Sequence, residues 1–139
     1  MGSSKYEWGP YAWYKFHKKA IKYPSNPCNC NIKNAIYFYQ QKFLDYIDCK
    51  SCRKDYLALI QNYPIKTGSK LELFNWTVAI HNIINVKLGK KQISYDKAYK
   101  IWSNKSFCKC KPNKVYLDIE SYLDNPMEYL NSIQTGYYH

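Results

Sequence analysis

The 139 residues and 16.6 kDa of this chain fit one domain of ordinary size, and 46% apolar against 22% charged residues exclude an unfoldable polar tail. No stretch of about 18 residues is free of Lys, Asp, Asn or Gln, which excludes a membrane-spanning helix, and no apolar segment follows Met1-Gly2-Ser3-Ser4, so no secretory signal is expected. Twenty-one basic residues against 10 acidic give a net charge of +11, a field that attracts nucleic acid, anionic cofactors and acidic partners alike.

In chain order, Trp13, Phe16, His17, Ala20 and Ile21 recur at i, i+3, i+4, i+7 and i+8 with lysines between them, which predicts an amphipathic helix over about 10–22. Pro24, Asn26 and Pro27 end it and open a loop holding Cys28 and Cys30. A second helix is expected from about Lys33, with Ile36, Tyr39, Phe43, Tyr46 and Ile47 on one face, running directly into Asp48-Cys49-Lys50-Ser51-Cys52. Asp48 is the expected N-cap of a third helix carrying Tyr56, Leu59, Ile60 and Tyr63. Ser69-Lys70-Leu71-Glu72 reads as a capping box. It opens the best helix in the chain, with Leu73, Trp76, Thr77, Ile80, His81, Ile84 and Leu88 in one stripe and Gly89 just past its end. A short helix from Ser94 carries Tyr95, Ala98, Tyr99 and Trp102. Beyond Pro112, Val115, Leu117 and Ile119 alternate like a strand, and Asn125-Pro126 before Met127, Leu130 and Ile133 suggests a last short helix. Residues 112–139 form an appendage whose structure the pattern does not settle. Short connections and no internal repeat predict an all-α, up-down bundle.

The six cysteines form three close pairs: Cys28 with Cys30, Cys49 with Cys52, and Cys108 with Cys110. Without a secretory signal, structural disulfides are not the expected use, and redox chemistry or metal binding is. A pair two residues apart at a helix N-terminus has its thiol pKa lowered by the first-turn amides and the macrodipole, with Lys50 and Arg53 adding to that. Such a pair suits a reversible disulfide, although a zinc site completed by a second pair, or inert thiols, are the competing readings. His81 and Asn85 share a helix face with Trp76 a turn before, and His17 lies near Trp13. A flat group with a polar rim would lie against such faces, unless these are satisfied core residues. Lysine supplies 20 of the 21 cations and Arg53 the other. Base readout favours the arginine fork, so sequence-specific nucleic-acid binding is not expected. Lys, Ile, Asn and Tyr, with the most A/T-rich codons, fill 61 of 139 positions and point to an A/T-rich genome.

Trp8-Gly9-Pro10-Tyr11-Ala12-Trp13-Tyr14-Lys15-Phe16-His17, with Tyr23-Pro24 after it, resembles the first-helix signature of the Erv/ALR FAD-linked sulfhydryl oxidases. Cys49 to Cys52 is similar to their redox-active pair, Trp76 with His81-Asn82-Ile83-Ile84-Asn85-Val86-Lys87-Leu88-Gly89-Lys90 to their W…HNxVNxxLGK segment, and Trp102 to a later tryptophan. The match covers roughly residues 8–102 in the family's order. The resemblance implies a four-helix bundle with a short fifth helix, a domain over 8–107 with a tail over 108–139, noncovalent FAD, no metal, and a homodimer. Carried over by position, Gly9, Trp13, His17, Tyr23, His81, Asn82, Asn85, Lys87, Lys90 and Trp102 would bind FAD, with lysines near the pyrophosphate. Cys52 would sit by the flavin and Cys49 would face the incoming thiol. Electrons from a protein dithiol would then reach dioxygen and release hydrogen peroxide.

Two departures stand out. Many cellular members carry a C-x16-C clamp between the fourth and fifth helices, where this chain has Val78 and Tyr95, and Asp48 replaces a common proline. Cys108 and Cys110 fit a tail CxC that shuttles electrons to the core pair, or else a structural link to Cys28 or Cys30. Small viral members are similarly reduced, and with the codon bias the resemblance implies a large DNA virus, action in the host cytoplasm at assembly sites or in the virion, and a small thioredoxin-like carrier as one partner. The competing function is a basic, cysteine-paired, zinc-stabilised helical module that binds nucleic acid.

Overall fold

The computed structural model describes residues 5–104 and 123–124. Five α-helices, α1 (Lys5–Ile21), α2 (Asn29–Gln40), α3 (Lys50–Asn62), α4 (Lys70–Lys87) and α5 (Tyr95–Asn104), are joined by a 3-10 turn (Lys42–Tyr46) between α2 and α3. The expected helical bundle with a short fifth helix is therefore present. One element has no counterpart in the sequence reading: strands β1 (Gln92–Ile93) and β2 (Leu123–Asp124) pair antiparallel, Gln92 opposite Asp124 and Ile93 opposite Leu123. The strand expected at 115–119 and the helix expected after Pro126 lie outside the described residues.

The core is built on α4. Every residue from 73 to 83 is buried, so this helix is enclosed on all sides and not along one stripe. It packs against α1, α5 and β1, and α1 packs in turn on α5 and the 3-10 turn. Phe16 of α1 sits at the centre, with ring centroids 5.1 Å from Tyr39, 4.7 Å from Phe43 and 5.6 Å from Trp76. Two of the buried tyrosines keep their hydroxyls satisfied by bridging helices: Tyr39 donates to the Phe16 carbonyl at 2.7 Å and Tyr56 to the Tyr39 carbonyl at 2.6 Å.

Three helix boundaries differ from the sequence reading, each for a local reason. Helix α1 begins at Lys5 and carries Pro10 in its interior, because Trp8 packs against the core and holds the turn before the proline in place. Helix α2 begins at Asn29, placing Cys30 in a helix and not a loop. Cys28 is its N-cap, and the Asn31 side chain reaches back to accept from both the Cys28 amide, at 3.0 Å, and its thiol, at 3.1 Å. The same helix stops at Gln40. The tighter turn after it, closed by Leu44 N–H to Gln41 O at 3.2 Å and Ile47 N–H to Leu44 O at 3.1 Å, swings Phe43 into the core.

The end of α4 decides where α5 lies. Gly89 has φ +74°, its amide donates to Val86 O at 3.1 Å, and the Lys90 amide donates to Asn85 O at 2.7 Å, which is a Schellman stop. The chain then turns back along α4, where the Asn82 side chain grips Ile93 on both backbone groups, donating to its carbonyl at 3.0 Å and accepting from its amide at 3.1 Å. Ser94 next caps α5 through the Lys97 amide. An added Cβ at Gly89 meets no atom within 4 Å, so only the left-handed backbone opposes it. The Gly89→Ala variant is accordingly expected to lose about 1–2 kcal/mol, read as a lower urea midpoint with an unchanged slope. An unaltered midpoint would show that the Schellman turn is not what sets the path into α5.

Candidate functional site

Cys49 and Cys52 form a disulfide at the start of α3, with Cα atoms 5.2 Å apart. The N-cap is Cys49 and not Asp48: the Cys49 sulfur accepts from the Cys52 amide at 3.2 Å. The capping position is thus taken by the sulfur itself, so a thiolate released at Cys49 meets a first-turn N–H and the positive end of the helix. The Ser51 hydroxyl lies 3.4 Å from the same sulfur. Arg53, expected to act on the thiols, instead donates to the Ile47 carbonyl at 2.9 Å and fixes the segment of chain that enters the helix. Both cysteines are half-buried against the hydrophobic core.

The second assembly is a stack of rings contributed by α1, α4 and α5. Trp13 and His81 lie face to face, centroids 3.5 Å apart and 6° from parallel. His17 lies beneath Trp102 at 4.6 Å and 28°. The two imidazoles join the halves through a 2.7 Å contact between His17 Nε2 and His81 Nδ1, and His17 Nδ1 lies 3.0 Å from the Thr77 hydroxyl. Both rings are within 2% of full burial. Burial pulls the His17 pKa down to about 3, and burial, His17 and the charge of Lys90, in that order, hold His81 well below the ordinary histidine range. One atom of the assembly is left over: His81 Nε2 is buried with no hydrogen-bond partner.

Of the residues singled out in the sequence, the fold brings Trp13, His17, His81 and Trp102 into this stack, with Lys90 close enough to bear on His81. Others serve the scaffold. Tyr23 is buried and its hydroxyl donates to Thr67 O at 2.8 Å, Asn82 holds Ile93, and Asn85 is buried with its carbonyl taken by the Schellman turn. Lys87 is exposed in the last turn of α4. Gly9 is half-buried, and a Cβ there would meet nothing within 4 Å. Cys28 and Cys30 are free and exposed. Cys108 and Cys110 lie outside the described residues.

Two further residues touch the stack without being singled out by the sequence as site residues. Lys18, one of the lysines between the apolar positions of α1, donates to the Trp102 carbonyl at 2.8 Å and ties α1 to the end of α5. Thr77 belongs in the sequence only to the apolar stripe of α4, and its spacing of four from His81 is the signal that places both on one face.

Among the described residues, no group of three His, Cys, Asp or Glu side chains is placed to hold a metal ion, and the disulfide removes Cys49 and Cys52 as thiolate ligands. The zinc-stabilised nucleic-acid module finds no support. An adenine-bearing flavin nucleotide fits the groups present. Broad aromatic rings, a buried ring nitrogen lacking a hydrogen-bond partner and a cation near His81 match a flat ring system with a polar rim and an attached pyrophosphate.

The buried imidazoles make stability depend on pH with a definite sign. Each is neutral when folded but titrates near 6.5 when unfolded, so below that value the unfolded state binds more protons. Their contribution is whole above about 6.5 and is lost as pH falls toward the folded value, by about 1.4 kcal/mol per pH unit for each ring that stays neutral. Urea midpoints are expected to fall steadily from pH 7 to pH 4, and His17→Gln to show a shallower fall. Equal slopes for the two proteins would mean that His17 is not held neutral.

Comparison with known proteins agrees with this geometry. The model of the Erv1 / Alr family matches residues 10–103. A probable FAD-linked sulfhydryl oxidase of Acanthamoeba polyphaga mimivirus is 33% identical over 95 residues, 66% of each chain. The FAD-linked sulfhydryl oxidase of African swine fever virus, isolate Pig/Kenya/KEN-50/1950, is 28% identical over 95 residues, 68% of this chain and 79% of the viral one. Among solved structures, the FAD binding domain of Erv1 from Saccharomyces cerevisiae aligns with TM-score 0.63 and 26% identity over 72% of this chain and 94% of its own. The yeast Erv1 core aligns with TM-score 0.66 and 24% identity over 76% and 90%. With the matched span running from Pro10 in α1 to Ser103 in α5, across the disulfide and the ring stack alike, this chain belongs to the Erv1/Alr family.

Proposed function

We infer that this protein is an FAD-dependent sulfhydryl oxidase that converts protein dithiols to disulfides at Cys49 and Cys52. The observation that carries the reading is the disulfide at the N-terminus of α3, with the sulfur of its first cysteine in the capping position. A substrate thiolate attacks Cys49 Sγ, the Cys49–Cys52 bond breaks, and Cys52 leaves as a thiolate. The second substrate thiol, as thiolate, then attacks the substrate sulfur of the mixed disulfide. Cys49 is released, and the substrate has lost two electrons and two protons to form its own disulfide. The Cys52 amide and Ser51 hydroxyl stabilise the Cys49 thiolate as it departs. What bound FAD supplies is two-electron chemistry between the reduced pair and dioxygen, with hydrogen peroxide as product.

The assignment of roles follows the family pattern, and local structure supports it. Cys49 stands outside the helix as its cap while Cys52 lies within the first turn, so Cys49 faces the substrate and Cys52 the flavin. Trp13, His17, His81 and Trp102 would give the cofactor its aromatic surface, Gly9 would leave room for it, and Lys87 and Lys90 would supply positive charge for its pyrophosphate. Tyr23, Asn82 and Asn85 complete the set at one remove, holding the elements that carry the rings. The oxidase domain is assigned to 8–107 and the tail to 108–139. In that tail Cys108 and Cys110 relay electrons from substrate, and a thioredoxin-like dithiol carrier and a second copy of the chain are the expected partners. Action in the host cytoplasm or virion accords with the viral relatives and with the A/T-rich residue usage.

The purified protein is expected to show a flavin absorption spectrum that bleaches with dithiothreitol under anaerobic conditions and returns in air with peroxide formed. A colourless protein that takes up no added FAD would end the reading. Cys52→Ser is expected to keep the flavin and lose turnover on dithiothreitol to background, because the first exchange step no longer has a disulfide to open. Retained turnover in that variant would move the chemistry to another pair.

A further inference from the structure

The direction of each hydrogen bond in the buried ring stack is fixed by its far end. Thr77 Oγ1 lies 2.6 Å from the Phe74 carbonyl, and since a carbonyl has no proton, the hydroxyl must donate its own there. Toward His17 Nδ1, at 3.0 Å, the Thr77 oxygen is left only with a lone pair, so this ring nitrogen carries the proton. His17 is neutral, so its Nε2 is then a lone pair as well. The 2.7 Å contact with His81 Nδ1 therefore requires the proton to be on His81. His81, neutral too, is left with a bare lone pair at Nε2, the buried atom that has no partner. Free neutral histidine prefers its proton on Nε2, so both rings are held in their less favoured tautomer by a threonine bonded to His17 and not to the unpartnered Nε2 edge.

We propose that Thr77 is a positioning residue: acting through His17, it locks His81 in the Nδ1–H tautomer, so that the Nε2 edge accepts a hydrogen bond and selects an N–H or O–H group of the bound flavin nucleotide over a carbonyl or phosphate oxygen. The ligand half of this rests on the flavin reading of the site. Thr77 is fully buried, so its hydroxyl has no solvent to satisfy, and its position one helical turn before His81 on α4 brings it level with His17 of α1. Without the hydroxyl, His17 loses the acceptor for its Nδ1 proton, and the cheapest repair is to reverse the whole chain. His17 would then carry its proton on Nε2 and donate to His81 Nδ1, which would put a proton on His81 Nε2 and turn the acceptor into a donor. A buried polar group facing the wrong kind of partner loses the hydrogen bond and keeps the desolvation penalty.

The test is long-range nitrogen–proton correlation spectroscopy of the histidine rings in the full-length, FAD-loaded protein, together with the rate of FAD release followed by the rise in flavin fluorescence. The wild type is expected to show both rings as neutral Nδ1–H tautomers. Thr77→Val, which keeps the shape and removes the hydroxyl, is expected to turn both rings to Nε2–H and to speed FAD release by about tenfold or more. Thr77→Ser is expected to keep both tautomers and a release rate within about twofold of the wild type. Nε2–H rings in the wild type, or a Thr77→Val protein that releases FAD at the wild-type rate, would overturn the proposal. Should Thr77→Val not fold, the wild-type spectrum and Thr77→Ser still decide it. A wild type that takes up no FAD would overturn the flavin reading and the ligand half of this proposal, while the same spectra still report the ring tautomers.

Discussion

A single hydrogen bond between two neutral imidazoles, His17 on α1 and His81 on α4, joins the hydrophobic core to the candidate cofactor surface. Its cost is plain, since two titratable rings are taken out of water, and so is what offsets it. Each ring gains an aromatic face, Trp13 against His81 and Trp102 against His17, and the two share a hydrogen bond in surroundings that strengthen it. Because the rings come from α1 and α4 and their tryptophan partners from α1 and α5, the site exists only when all three helices are docked. The fold is thereby a condition of the chemistry and not a platform beneath it.

What positions α5, beyond the burial of Ala98, Ile101 and Trp102 in the core, is a sequence of local devices. The Schellman turn at Gly89 reverses the chain, Asn82 holds Ile93 by both of its backbone groups, Ser94 caps the helix, and Lys18 reaches from α1 to the carbonyl of Trp102. Each contributes on the order of 1 kcal/mol, and each acts at a different point along the chain between α4 and the end of α5. Trp102 arrives over His17 through its own burial in the core and the sum of these small constraints. A disturbance at Gly89 is therefore felt at the ring stack, although Gly89 touches none of it.

Much of this is legible in the sequence, and the failures have physical causes. The 3.6-residue period reveals α1, α4 and α5 because their buried faces are continuous, and Ser69 and Gly89 mark both ends of α4 because caps are satisfied by nearest neighbours along the chain. Asp48 misleads because the helix begins one residue later than its capping preference suggests, which puts Cys49 of the disulfide in the capping position. Pro10 misleads because Trp8 packs on the core, and that burial carries the helix past a missing donor. Asn82 and Asn85 look alike as polar residues on a helix, and only the return path of the chain shows Asn82 bound to Ile93. The rings of the site are visible through the family resemblance. The role of Thr77 is not, because it depends on which way protons point between residues 60 apart in the sequence.

The loss of the covalent clamp between the fourth and fifth helices also finds a physical account. Where cellular relatives are expected to carry two cysteines, this chain has Val78, fully buried, and the half-buried Tyr95. A disulfide closing a loop of that length is worth roughly 3 kcal/mol. The two Asn82 bonds, the Ser94 cap and the Lys18 contact together supply a comparable amount without any sulfur. Among the described residues the one disulfide is then the pair that turns over. Its reduction in each cycle breaks none of the contacts that hold α5, so the scaffold keeps its shape while the active pair opens and closes.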